Sequence, residues 1–415
     1  MLSNKVQQLI SKGVDLRNPL TLDIGEEVRV EQISGNQVTL YPGCRLYGER
    51  TVICSGAQVG YEGPVTIENC QVGPSVELKG GFLKESVFLD QAVVGLGAQV
   101  REACILEEQA SAAHCVGLKQ TILFPFVTLG SLINFCDCLM AGGTSRKDHS
   151  EVGSSYIHFN FTPDGDKTTP SLIGDVAKGV MLNRRPIFLG GQGGMVGPLR
   201  IGYGNVVAAG AILRDDVCEE NKLIIGKSYE GATLNYVPSQ YSSLARIVKN
   251  NVLYLANLAA LEQWYAHVRR LFFRDQEFGE WLYEGAVEKL SLAKKERLNR
   301  LKAMAERMPE SLARSAKGRA GIRKSEFHDR FSELIQLFSA PPHWSDVEER
   351  DRFLELFHRH KSGHPGGAYV DVVRKMPAPL SDSGTKWLQG IVDDHCDRAS
   401  SIFPSFEMSF EKSSG

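Results

Sequence analysis

Aliphatic residues recur every six positions through the first half of the chain. Leu40, Leu46 and Val52 form one such set, Val59 and Val65 another, and Val72 and Leu78 a third. Val94, Val100, Leu106, Ala112 and Leu118 continue it, with slips of one residue between sets. The cleanest register is Ile201, Val207 and Leu213. Small residues follow many of these positions, as in Val59-Gly60, Val72-Gly73, Val94-Gly95 and Ile201-Gly202. A period of six is neither the two of a half-buried strand nor the 3.6 of a helix. It fits short strands meeting at corners of about 60°, three to a coil of roughly 18 residues, with one aliphatic per hexapeptide stacked on its copy in the next coil. Corners need small residues that tolerate left-handed backbone. The predicted fold is mainly β, a left-handed parallel β-helix of hexapeptide repeats over 21–230, with ten or eleven coils and some insertions.

The pattern changes outside that span. Residues 1–20 read as a short amphipathic helix, with Val6, Leu9 and Ile10 on one side and Gly13 as its C-cap, followed by a lead-in to the first coil. From 240 to 310 glycine nearly vanishes. Leu244, Ile247, Val248, Val252, Leu255, Leu258, Leu261, Tyr265, Val268 and Phe272 repeat at three and four, which predicts a helix of about 30 residues, with a second over 277–308. This C-terminal α-helical extension is expected to cap the open end of the solenoid. Residues 311–325 read as a basic, solvated joint carrying Arg314, Lys317, Arg319, Arg323 and Lys324. Residues 326–415 read as a small helical segment broken at Pro341-Pro342 and at Gly363 to Gly367, with a frayed end.

Composition narrows the function. Of 415 residues, 42% are apolar and 41 are glycine. The net charge of −2 speaks against a nucleic-acid partner. No apolar run spans a membrane, and the first residues lack a signal-peptide core. Nine scattered cysteines fit reduced thiols, so a cytoplasmic protein is expected. No metal is expected. Cys136-x-Cys138 lacks partners at ligand spacing, His114, His149 and His158 are wrongly spaced for a three-histidine zinc site, and His358, His360 and His364 read as a polar helix end.

Residues 134–175 are the richest in polar groups within the repeats. They contain Asn134-Phe135, Lys147-Asp-His149, Asn160-Phe161 with Asp164-Gly165 and Lys167, and Ile173-Gly-Asp175. With Leu9 to Pro19 before them, and Leu189-Gly-Gly-Gln-Gly-Gly-Met-Val-Gly-Pro198 and Ile201 to Gly210 after them, they resemble the acetyltransferase half of the bifunctional enzyme that makes UDP-N-acetylglucosamine. About half the chain carries the likeness. The uridylyltransferase half has no counterpart here: no Gly-rich nucleotide loop follows an N-terminal strand.

The resemblance implies a homotrimer with sites in the clefts between subunits, acetyl-CoA as cosubstrate with no tightly bound cofactor, and a small sugar phosphate as acceptor. It implies that His149 is the general base, with His158 as the backup. Asn160, Phe161 and Lys167 fall where the family contacts the sugar phosphate, and Gly191, Ala208 and Ala209 where it contacts the cosubstrate. Backbone amides over Gly190 to Gly194 are candidate donors to phosphate or to a carbonyl. The pattern also departs from the family. Phe161 stands for a Tyr, and neither Phe126–Gly130 nor Asp137–Met140 supplies the family's Arg and Lys. Arg146, Arg184 and Arg185 are possible substitutes. Two readings follow: acetyl-CoA-dependent N-acetyl transfer to an amino-sugar phosphate or nucleotide sugar, or a catalytically inactive sugar-phosphate-binding or scaffold β-helix.

Overall fold

A computed structural model describes residues 2–226, 231–233, 235–314, 318–340 and 347–410. Short parallel strands wind through three sheets in strict rotation. Face one has eleven strands from Asp15–Leu16 to Leu223–Ile224, face two has ten from Asp23–Ile24 to Ile212–Leu213, and face three has eight from Val52–Ile53 to Arg200–Ile201. This is a left-handed β-helix of about eleven coils. The six-residue sets are its inward stacks: Val59 lies on Leu78, Val94 on Ala112, and Leu189 on Val207. The fold is held by these aliphatic columns, which stay out of water only because each coil covers the next.

Two coils are longer. Val152 follows its partner Leu129 by 23 residues, and Leu189 follows Val152 by 37. The surplus forms a hairpin pairing Gly143–Ser145 with Asp148–His149, a loop between Phe159 and Ser171, and a segment between Ile173 and Phe188. These insertions carry most of the candidate site residues.

The C-terminal helices do not lie where the solenoid ends. Helix α1 (Asn4–Lys12) covers the first coil, its cap formed by Ser3 and Gly13. A short helix α2 (Val176–Gly179) sits in the third insertion. Helix α3 (Leu244–Trp264) then runs along face three, continues through one π turn (Tyr265–Arg269) into α4 (Arg270–Phe273), and returns as α5 (Gly279–Ala305). Helices α6 (Met308–Arg314), α7 (Arg319–Ser339), α8 (Val347–Ser362), α9 (Tyr369–Arg374) and α10 (Ala378–Ile402) pack outside this pair. The expected cap is therefore a lateral cover. Its cause is legible in face three, whose strands Ser86–Phe88, Cys104–Leu106 and Cys138–Met140 are buried at every position. Such two-sided burial needs a second layer. The expected joint is also narrower than 311–325, because α6 continues to Arg314 and α7 starts at Arg319. Lys317 and the Pro341-Pro342 break lie outside the described residues, as does the expected frayed end over 411–415.

Polar pins fix the cover in register. The Asn251 amide donates to the Thr168 carbonyl (3.1 Å), and Asn257 Oδ1 accepts from Val176 N–H (2.9 Å). In the π turn Tyr265 donates to Glu107 (2.6 Å), and Arg269 donates to both oxygens of Glu108 (2.9 and 2.7 Å). From α5, Arg297 reaches Asp137 (2.7 Å). A π turn shifts the phase of the helix and aims these two side chains at one coil.

The same contact carries a pH signature. Burial pushes the Asp90 carboxyl up to about 6, helped by the Glu108 charge. Burial likewise lifts Glu107 above the ordinary carboxylate range. A carboxyl with a raised folded-state pKa favours the fold most when protonated, so this contribution is lost as pH rises from about 4 through about 6. We expect Asp90→Asn to melt higher than the wild type at neutral pH, with the difference shrinking toward pH 4. A melting-temperature difference that does not vary with pH would refute the assignment.

Candidate functional site

The site residues fall at three corners of the prism. His149 ends the hairpin that bridges faces three and one. Glycines make this turn possible: Gly142 and Gly143 have φ of 103° and 99°, and a Cβ on Gly143 would lie 2.6 Å from the His149 Cα. Arg146, at the tip, folds the hairpin back onto the solenoid by donating to the carbonyls of Gln109 (3.0 Å) and Phe126 (2.9 Å) and to Thr128 Oγ1 (2.9 Å). All three bonds are made by Nη1, and they anchor the hairpin tip.

The His149 ring is oriented from within the same hairpin. Nδ1 lies 2.9 Å from the Arg146 carbonyl oxygen. A carbonyl only accepts, so the proton sits on Nδ1 and the Nε2 lone pair is left available. The Glu151 carboxylate stands 3.8 Å from Nε2, where it would stabilise an imidazolium. This is the arrangement a general base needs: a fixed tautomer, an exposed lone pair and a nearby negative charge. We expect Gly143→Ala to lose activity while the solenoid stays folded, because the strained φ and the contact with His149 both act on the hairpin. A variant with unchanged kcat would show that ring placement does not depend on this turn.

His158 is a different case. It points inward, in the column of Leu118, Phe135 and Met195, and is 2% exposed. Nε2 bonds Ser171 Oγ at 2.9 Å, and burial drops its pKa to about 4. It is a neutral core residue and is withdrawn as the backup base.

Asn160, Phe161 and Lys167 share the loop between faces two and three, but much of that loop is committed to internal bonds and to the segments that carry α3 and α5. The Asn160 amide bonds the Asp137 carboxylate, which burial raises above its ordinary pKa against the opposing effect of Arg297. The Lys167 carbonyl accepts from Arg297 (3.1 Å). Asp164 accepts from Ser239 N–H (3.1 Å), and Asp166 accepts from Tyr241 O–H (2.9 Å) and from Thr162 Oγ1 (3.0 Å). Only the Phe161 ring, 74% exposed, and the Lys167 side chain remain open to a ligand.

Gly191, Ala208 and Ala209 line the corner between faces one and two. Here successive coils approach so closely that a Cβ on Gly190 would meet Ala209 N at 2.4 Å. The amides of Gly190, Gln192 and Gly194 donate to Val207, Ser154 and Ala211. These three are spent within the stack and cannot form the anticipated anion cradle. Arg185 bonds Asn221 (2.6 Å), so it too has a partner.

Adjacent corners are one hexapeptide apart, roughly 15–20 Å at about 3.3 Å per residue. A single chain therefore does not bring His149, Lys167 and Gly191 to one reacting atom. Among the described residues no group of three His, Cys, Asp or Glu is arranged to hold a metal, and no helix is long and apolar enough to cross a membrane. His360 and His364 bond the carbonyls of Val372 and His360.

No family model matches the chain. Among curated proteins, the bifunctional protein GlmU of Thermotoga petrophila is 27% identical over 214 residues, covering 51% of this chain and 42% of that protein. GlmU of Thermotoga maritima is 28% identical over the same length and the same shares. GlmU of Carboxydothermus hydrogenoformans is 27% identical over 233 residues, 56% of this chain and 46% of that protein. The chain thus spans about half the length of the curated relatives it matches, and its likeness to the bifunctional proteins extends over about half of its own residues. Among solved structures, UDP-N-acetylglucosamine O-acyltransferase (LpxA) from Moraxella catarrhalis aligns with a TM-score of 0.26 and 10% identity over 66% of this chain and 96% of that one. The UDP-N-acetylglucosamine acyltransferase from Campylobacter jejuni aligns with a TM-score of 0.16 and 13% identity, covering 49% and 68%.

Proposed function

We propose that the chain is a hexapeptide acyltransferase that moves an acetyl group from acetyl-CoA to the amine of an amino-sugar phosphate or nucleotide sugar. The observation that carries this reading is the His149 ring, with Nδ1–H fixed on the Arg146 carbonyl and Nε2 open beside Glu151. In the reaction the acceptor nitrogen attacks the thioester carbonyl carbon, Nε2 takes the amine proton, and the carbon–sulfur bond breaks. The departing thiolate is protonated to free CoA, with the imidazolium as the nearest acid. Lys167 supplies a point charge for the acceptor phosphate. The corner at Gly191, Ala208 and Ala209 offers a narrow, side-chain-poor path for the pantetheine arm.

Because these corners are separated in one chain, the working site belongs to a cleft between copies, in a homotrimer. The nine cysteines are unpaired thiols, which supports the cytoplasmic location expected for a reducing compartment. The test is mass spectrometry of glucosamine-1-phosphate, and of a panel of amino sugars and their UDP forms, incubated with acetyl-CoA and the protein. Gain of one acetyl group by one acceptor, absent without protein, supports the proposal. No acetylated product from any acceptor contradicts it.

A second reading has its own support. Asn160 bonds Asp137, both carboxylates of its loop bond the segment that leads into α3, and Phe161 lacks the hydroxyl of its family counterpart. A protein that binds a sugar phosphate or serves as a scaffold, without transfer, is consistent with that. Ligand binding without thiol release would favour it.

A further inference from the structure

Face two carries a feature that the acyl-transfer reading does not use. Its outward residues stack in register as Phe82, Gln99, Gly117, Asn134 and Ile157. Glycine interrupts this column at 117 for no backbone reason. Its φ is not in the left-handed region, and a Cβ there would meet nothing closer than Asn134 Oδ1, at 3.7 Å. Gly81, in contrast, has a φ of 133°, and a Cβ there would clash with the Ala98 carbonyl at 2.2 Å. What Gly117 does is leave a dent. The dent deepens an open surface groove of about 580 Å3.

The neighbouring outward column holds three cations on successive rungs, Lys84, Arg101 and Lys119. Strand spacing puts them about 4.8 Å apart along the face. Lys84 is neutralised by Glu68 (2.8 Å) and Lys119 by Glu102 (3.3 Å). Among the described residues the Arg101 guanidinium has no hydrogen-bond or ion-pair partner, and it borders the concavity. Glu102, already paired with Lys119, acts on Arg101 only through its charge, so the fork of donors stands without a bonded partner beside this space. Carboxamides lie above and below that space at Gln99 and Asn134, and Leu132 and Ile157 form an apolar wall. A guanidinium presents parallel donors that match an oxyanion. The amides match hydroxyl or amide groups.

We propose that this concavity is a binding site for a small oxyanion-bearing molecule, a phosphate or carboxylate with an adjoining polar and partly apolar body, held by Arg101 and seated over Gly117. It is independent of the His149 corner.

Cys115 provides the reporter. It lines the concavity and is exposed, whereas the other cysteines are buried or, for Cys218, half-buried. The rate of maleimide alkylation at Cys115 would be followed by peptide mass spectrometry on the full chain, at constant ionic strength. The probes are inorganic phosphate, acetate, glucosamine-1-phosphate and neutral N-acetylglucosamine. The proposal predicts saturable slowing by at least one oxyanion probe and none by the neutral sugar. The phosphate and acetate arms decide which anion is preferred. Arg101→Gln is expected to weaken protection about tenfold or more, as loss of a charged hydrogen-bond pair does. Gly117→Leu is expected to abolish protection by filling the dent. Both residues lack crowded contacts, so melting temperature and acetyl transfer should stay at wild-type values. Equal protection in Arg101→Gln, or none with any probe, overturns the proposal. So does a Cys115 that resists alkylation in the native protein until it is diluted to single chains, which would assign this face to contact between copies.

Discussion

His149→Gln is expected to lower kcat for the proposed acetyl transfer by about 10²- to 10⁴-fold and to leave KM for acetyl-CoA nearly unchanged. That range is what a positioned proton acceptor contributes. The split between kcat and KM is what losing an interaction made only in the transition state produces. Gln keeps the size of the side chain and its capacity to bond the Arg146 carbonyl, so the hairpin stays closed and the lost function is proton transfer. Steady-state kinetics at fixed pH would check the split. A variant within threefold of wild type would remove His149 from the mechanism. His158 cannot replace it, because it is sealed in the core.

Arg269→Met is expected to destabilise the protein by about 3–5 kcal/mol, the cost of leaving a buried carboxylate without its partner. Arg269 is 1% exposed, donates to both oxygens of Glu108 and stacks on the Tyr369 ring at 3.8 Å. Methionine fills much of the space but leaves Glu108 charged beside Glu107 in a dry contact. Pairing it with Glu108→Gln should recover part of the loss, because the amide carries no charge to strand. Urea unfolding of the two variants and the wild type gives the comparison. A single variant within 1 kcal/mol of wild type would mean that the helical cover is held by apolar contact alone.

The six-residue spacing made the solenoid legible, because inward positions tolerate little besides aliphatics. Leu46, Ile67, Leu83, Val100 and Leu118 form one unbroken column in the structure. The helices were legible too: the predicted 277–308 is α5 at Gly279–Ala305. Their placement was missed, although the signal was present. Face one alternates, as in Glu77-Leu78, Ser111-Ala112 and Thr128-Leu129, while face three reads as continuous apolar runs such as Cys104-Ile105-Leu106 and Cys138-Leu139-Met140. Continuous runs mark a sheet covered on both sides.

The site was less legible for physical reasons. His158 occupies an inward slot by coil register, which the insertions on either side obscure. Asn160 looks like a ligand contact in sequence, but its partner Asp137 belongs to the preceding coil and to a helix pin from residue 297. Arg146 looks like a spare cation, yet its acceptors lie 18–37 positions back along the chain. Arg101 and Gly117 carry no motif at all. Their relation appears only when coils are stacked.

The account depends on sites completed between copies, and the mass of the active species tests that most directly. Sedimentation of the purified protein at assay concentration, with acetyl transfer followed across the same boundary, should show activity travelling with a species three times the 45.8 kDa chain mass. Full activity travelling with a single chain would contradict it, since no chain brings its own three corners together.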